Sequence, residues 1–221
     1  MSNAVVSAFK NKQLRKKLLF TTLILIVVRF GSQLPIPEID SAQISAYLKS
    51  TLGDSFSLLN SFTGGSFMQM SVFALSVTPY ITSSIIMQLL TIAIPKLEEM
   101  QKDGEDGRKK IAEYTRYLTV GLALFESCAM AVGLGGKGLL LEDHRNIWGY
   151  LTVVAAMTAG SALLMWIGER ITDNGVGNGI SIVLLINIVS GTPQDMMTLY
   201  ERFMAGRSVA VATVSGIIVL A

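Results

Sequence analysis

Apolar residues fall into long blocks along this chain, and the blocks set the architecture. Five can be drawn complete, over residues 18–34, 72–94, 117–134, 147–167 and 180–188 with flanks. Residues 71–94 and 147–167 each run past the roughly 18 uncharged residues that mark a membrane span. The first block follows Lys10, Lys12, Arg15, Lys16 and Lys17, as the core of a secretory signal would. No small-x-small site closes it; Arg29, Gly31 and the rigid Pro35-Ile36-Pro37 step follow, so it reads as a retained span ending in an extended turn. A sixth block opens at Val209 and is still apolar at Ala221. It would cover only about 20 Å at 1.5 Å per residue, against a hydrocarbon core near 30 Å, so the chain is expected to be incomplete. A natural end there would leave the last carbonyls unpaired in lipid.

Two stretches depart from plain spans. Residues 55–67 are apolar but brief, with Phe56, Leu58, Leu59 and Phe62 interrupted by Asn60, Thr63, Gly64 and Gly65. That length predicts a re-entrant or interfacial helix entering the second span from the outer side; a re-entrant path implies a cavity, and an outer-surface helix is the plain alternative. The fifth block is short and begins at Gly175-Val176-Gly177-Asn178-Gly179. A discontinuous helix paired with a short one is a pattern of transporters and channels. Pro79 falls inside the second block, where it predicts a kink.

Composition and charge then narrow the class. The chain is 51% apolar and 15% charged, with a mean hydropathy of +0.51, which excludes a disordered chain and an ordinary water-soluble domain. The prediction is an all-α polytopic membrane protein: five complete transmembrane helices, the start of a sixth and one re-entrant helix. Net charge is +2, so nothing points to nucleic acid. With the N-terminus inside, the inner segments hold twelve Lys and Arg and the outer ones five, which places the N-terminus in the cytoplasm. Cys128 is the single cysteine; it excludes an internal disulfide and is expected to pack within its apolar segment.

Candidate chemistry is sparse. Gly175, Gly177 and Gly179 have G-x-G-x-G spacing with no preceding strand, so they read as a tight cytoplasmic turn in which Asn178 or the glycines cap the fifth helix. His144, the only histidine, sits in an outer loop beside Asp143 and Arg145 without a second ligand type at metal spacing. No Ser, His and acid set exists, so no enzyme, metal site or cofactor is predicted. Glu126 stands mid-block, where a charge costs roughly 2.5–3.5 kcal/mol on insertion scales. It is a functional candidate, or a group satisfied by a polar strip of Thr82, Ser83, Ser84 and Gln88. Arg29 reads as a structural anchor that snorkels or pairs with an acid. A secondary transporter with Glu126 as its intramembrane site is the rival reading, and a scaffold for membrane helices a third.

Three runs together resemble the SecY family, the central subunit of the bacterial protein translocase: Pro35-Ile36-Pro37; Phe62-Thr63-Gly64-Gly65 leading to Phe73-Ala74-Leu75-Ser76-Val77-Thr78-Pro79-Tyr80-Ile81; and Gly168-Glu169-Arg170 leading to Gly177-Asn178-Gly179-Ile180-Ser181. Gly104-Glu105-Asp106-Gly107-Arg108-Lys109-Lys110 and Tyr114-Thr115-Arg116-Tyr117 fit as well, and the likeness runs from about Leu14 to Gly191. It implies ten spans in two halves, with this chain holding a basic N-terminus (1–17), the first half (18–191, with cytoplasmic loop 96–116), an outer loop (192–207) and the start of span six (208–221).

The same resemblance implies a protein-conducting channel in the inner (plasma) membrane, with lateral insertion of membrane helices. The short outer segment becomes a plug over about 55–70, comprising Phe56, Leu58, Leu59, Phe62, Gly64 and Gly65. Val77, Ile81, Ile180 and Leu184 become an apolar pore ring, each pair i, i+4 on one helix face. Thr82, Ile86, Gln88 and Glu126 become a lateral gate. Implied partners are SecE and SecG subunits, the SecA motor ATPase, the ribosome with its nascent chain, signal sequences and the bilayer. Energy would come from the motor or the ribosome, since the sequence has no phosphate-binding loop. Against the family pattern, Ser76 and Glu38 stand where glycine is expected and Glu126 where an uncharged polar residue is, which implies a stiffer plug hinge and a pH-sensitive gate.

Overall fold

The computed structural model describes residues 11–36, 39, 41–52, 63–137 and 146–191. Its helices are α1 (Lys12–Gly31), α2 (Ser41–Leu52), α3 (Thr78–Ala93), α4 (Pro95–Lys102), α5 (Glu105–Gly136), α6 (Ile147–Asn174) and α7 (Gly179–Gly191). An isolated antiparallel bridge joins Pro35 and Ser71. α5 and α6 are each long and apolar enough to cross a membrane, and α3 with α4 passes the same test as a pair bent by 101°. α1 carries Lys12, Arg15, Lys16, Lys17 and Arg29 among its 20 residues, and α7 is a shorter apolar helix.

Antiparallel packing of α5 on α6 forms the backbone of the bundle. Arg116 meets Glu169, Ser127 meets Thr158 and Gly135 lies against Tyr150, a register that pairs rising with falling residue numbers. The buried face of α5 repeats every four residues through Thr115, Thr119, Ala123, Ser127 and Ala131. Small and hydroxyl side chains let the helix backbones approach and supply hydrogen bonds across the seam. Thr119 pairs with Ser83 of α3, and Ser127 with Thr158 of α6 at 2.9 Å. Leu124, Phe125 and Val132 face outward on α5, as do Trp148 and Leu151 on α6, an apolar exterior that suits lipid rather than water. Cys128 is exposed on this exterior, so the expectation that it packs within the protein is corrected. Its position one residue beyond the buried Ser127 carries it off the seam.

The second apolar block is not one helix. From Gly64 to Val77 the backbone turns repeatedly, and α3 begins only at Thr78. Pro79 therefore sits in the first turn of α3, where its missing N–H would have had no partner anyway; the predicted mid-span kink is replaced by a helix start. The bend in this block comes instead at Ile94, extended between α3 and Pro95 of α4. Irregular backbone at such depth needs internal hydrogen bonds. It finds them: the Ile36 N–H donates to the Met70 carbonyl at 3.0 Å, the Val72 N–H to Leu34 at 3.1 Å, and the Arg29 guanidinium to the Gly64 carbonyl at 2.7 Å. Arg29 is thus the expected anchor, with a carbonyl rather than an acid as its partner.

Two apolar clusters hold the bundle. One joins Ile36, Ile39, Ile44, Met70, Leu75, Val153 and Met157 at the end where α2 sits; α2 itself was not anticipated from the sequence. The other joins Val28, Phe73, Val77, Leu164, Ile167, Ile171 and Val183 and binds α1, α6 and α7 around the foot of α3. The turn from α6 to α7 passes through Gly177 at φ +71°, and the Asn178 side chain accepts from the N–H groups of Ile180 and Ser181. Asn178 is therefore the N-cap of α7, as the turn reading expected.

Candidate functional site

Between α3 and α7 lies an open cavity of about 570 Å³, flanked by the first half of α5 and the end of α6. Ile81, Ile180 and Leu184 line it together with Ile85 and Ala112, and Gln88, Arg116, Glu169, Asp173 and Asn178 contribute polar groups. Local structure fixes the first three. Ile81 lies in the first turn of α3, its N–H donating to the Val77 carbonyl at 3.1 Å. Ile180 is held by the Asn178 cap at 3.1 Å, and Leu184 follows one turn later on the same face of α7.

Val77 is placed differently from its three predicted companions. It has no exposed surface and packs with Val28, Phe73, Leu164 and Val183 rather than lining the cavity.

An ion pair organises the polar groups. Arg116 donates through Nε to Glu169 at 2.8 Å, joining α5 to α6. The hydrogen bond to Glu169 holds the guanidinium above its already high ordinary value, so Arg116 stays charged. Nearby, the Arg170 guanidinium lies 5.4 Å from the centroid of the Trp166 ring.

The predicted gate residues do not gather in one place. Thr82 and Ile86 are half-buried on α3. Gln88 lines the cavity, its side-chain amide 3.5 Å from the Ser84 hydroxyl. Glu126 is half-buried on α5 and has no hydrogen bond or ion pair among the described residues. Taking Ser83 opposite Thr119 as the register, Gln88 and Glu126 lie on opposite sides of that level, roughly 18 Å apart along the axis at 1.5 Å per residue. The polar strip therefore does not reach Glu126; Ser83 spends its hydroxyl on Thr119 instead.

Of the plug residues, Gly64 and Gly65 are described, both with positive φ (+64° and +86°) in a run of turns. A Cβ at Gly64 would crowd the backbone of Asn187. Phe56, Leu58, Leu59 and Phe62 lie outside the described residues, as do Glu38, His144 and the whole of 192–221. Among the described residues no group of three His, Cys, Asp or Glu could hold a metal ion. Two polar residues escaped the sequence reading. Asn187 and Ser161 are both buried and both bond to Ser76, and an asparagine inside the apolar run of α7 was the available signal.

A family model described as SecY matches residues 71–221. The protein translocase subunit SecY of Corynebacterium glutamicum is 43% identical over 206 residues, covering 89% of this chain and 47% of that protein. The chain belongs to the SecY family. The SecY of Escherichia coli strain K12 is likewise 43% identical, over 88% of this chain and 44% of its own length. The chain thus spans about half the length of the SecY relatives it matches. Among solved structures, "Sec61 in the Canine ribosome-channel complex from the endoplasmic reticulum" aligns with a TM-score of 0.52 at 18% identity, covering 94% of this chain and 42% of that one. "The structure of a protein conducting channel" aligns at 0.50, also at 18% identity. These two likenesses concern the fold.

Proposed function

We propose that the chain is the first half of a protein-conducting channel subunit, through which unfolded preproteins cross the membrane and membrane helices leave sideways into lipid. One observation carries the reading: Ile81, Ile180 and Leu184, from two helices, line one cavity together with polar and charged side chains of α3, α5 and α6. In a channel, a constriction of aliphatic side chains dewets and stops ions, while polar groups beside it stay wet for a peptide. Val77 supports this ring from behind.

In this reading α1, the pair α3 with α4, α5, α6 and α7 are five spans, residues 208–221 begin a sixth, and about 55–70 form the plug. The membrane is then the inner, plasma membrane; the N-terminus is cytoplasmic, a reading supported by the Lys and Arg concentrated in 10–17 and 96–116. Thr82 and Ile86 lie on the gate edge of α3. SecE and SecG are the companion subunits, and SecA or the ribosome supplies the drive; the relatives' names, as subunits of a translocase, support companion subunits in general, and the ribosome-bound structural neighbour supports the ribosome. Secondary transport through Glu126 gains no support from the relatives. The test is conductance of the full-length protein in planar bilayers with and without residues 55–70: a deleted plug raises resting leak and relaxes signal-sequence selectivity, and an unchanged closed state contradicts the reading.

A further inference from the structure

Buried polar contacts converge on the turn that precedes α3. Ser76 is 2% exposed and held at φ +52°, a left-handed conformation that a residue with a Cβ seldom adopts. The Asn187 side-chain amide, 4% exposed on α7, donates to the Ser76 hydroxyl at 3.2 Å. The Ser161 hydroxyl of α6 donates to the Ser76 carbonyl at 3.4 Å. Asn187 also abuts Gly64, so α7 touches both ends of the irregular stretch through this one residue.

The position of this contact matters because of what the two helices carry. Ser76 lies five residues before Ile81, and Asn187 three after Leu184, so the bond ties the turn that leads into α3 to α7, close in sequence to Ile81 and Leu184 of the cavity lining. We propose that Ser76 and Asn187 form a latch that holds α3 against α7 and sets how rarely the cavity opens at rest. Both are positioning residues. Parting the helices strands an amide and a hydroxyl in apolar surroundings, a loss that resists opening by about tenfold. The left-handed turn aims the Ser76 hydroxyl at α7, and Ser161 holds the turn from its other side. The latch rests on the channel reading only for its effect on ions; the helix separation it controls is measurable without that reading.

The experiment uses full-length protein in proteoliposomes, in a Cys128→Ser background, with spin labels at Leu89 of α3 and Leu185 of α7, both exposed. Pulsed electron paramagnetic resonance reads the distance between them, and ion flux reads the resting leak. Ser76→Gly removes the hydroxyl while relieving the left-handed strain, so the protein folds. It should broaden the distances toward longer values and raise leak about tenfold. Asn187→Leu should act in the same direction, and the double variant should add nothing to Ser76→Gly, because both remove one contact. Unchanged distances in both single variants, or additive effects in the double, overturn the latch. Broadened distances without added leak keep the latch and overturn the channel reading.

Discussion

Arg116 and Glu169 stand 53 residues apart in sequence, yet their side chains meet at 2.8 Å where α5 enters its apolar stretch and α6 leaves its own. The arginine side chain is about half exposed and the glutamate about a quarter, so water and salt screen the pair. Glu169→Gln should therefore lower thermal stability only slightly, by about 0.2–1 kcal/mol. The effect should shrink as salt rises. Arg116 is held above its ordinary value and both values lie far in the alkaline range, so its share of the stability is fully present at neutral pH and is not lost on moderate alkalinisation. Thermal unfolding in detergent at low and high salt checks this; a large loss insensitive to salt would instead mark a desolvated pair.

The seam between α5 and its neighbours is made for small side chains. Ala123 has no exposed surface, between Thr119 and Ser127 whose hydroxyls bridge to α3 and α6. Ala123→Leu should force the helices apart and cost about 1–3 kcal/mol or more. The next residue, Leu124, faces outward and is 51% exposed, so Leu124→Ala should leave folding nearly intact. Comparing the amount of folded protein in the membrane for the two variants tests the assigned face of α5.

Glycines separate in the same way. On α6, a Cβ at Gly160 would run into the Val72 carbonyl of the turning stretch, whereas a Cβ at Gly133 of α5 meets nothing within 4 Å. Gly160→Ala should be strongly destabilising because the obstacle is backbone and cannot step aside. Gly133→Ala should be neutral or stabilising by up to about 1 kcal/mol, the ordinary gain in helix propensity. Equal melting temperatures for the two would refute the close approach of α6 to residue 72.

Much of this was legible in advance. The blocks at 117–134 and 147–167 lie within α5 and α6, and Asn178 caps α7 as its place after the glycines suggested. What misled was the run from Val72 to Val77, where Phe73, Ala74, Leu75 and Val77 are buried in an irregular turn just as they would be in a helix. Hydrophobicity records burial and cannot tell the two apart. The helix is refused there by groups distant in sequence: Arg29, Ser161 and Asn187 bond to Gly64 and Ser76, and Leu34 and Ile36 to residues 70–72. Two local signs were present. Pro79 is a residue suited to a first helical turn. The expectation of glycine at position 76, drawn from the family resemblance, points to the same place, where Ser76 has a left-handed φ. The distance between Gln88 and Glu126 could not be read at all, because it depends on how α3 and α5 are set against each other.

The four residues proposed for the pore ring divide by burial, and a polar substitution should report the division. Ile81 lines the cavity and is partly open, so Ile81→Asn adds a polar group where water can reach it; the fold should survive and resting ion leak should rise as the constriction wets. Ile81→Leu keeps the surface apolar and should be almost silent. Val77 has no exposed surface and touches α1, α6 and α7, so Val77→Asn buries an amide without a partner, at roughly 1–3 kcal/mol for the unpaired group alone. Its main effect should be less folded protein in the membrane. Protein level and leak are to be measured together for all three variants. Leak from Val77→Asn at full abundance would place Val77 in the constriction itself, while loss of protein without leak from Ile81→Asn would remove Ile81 from it.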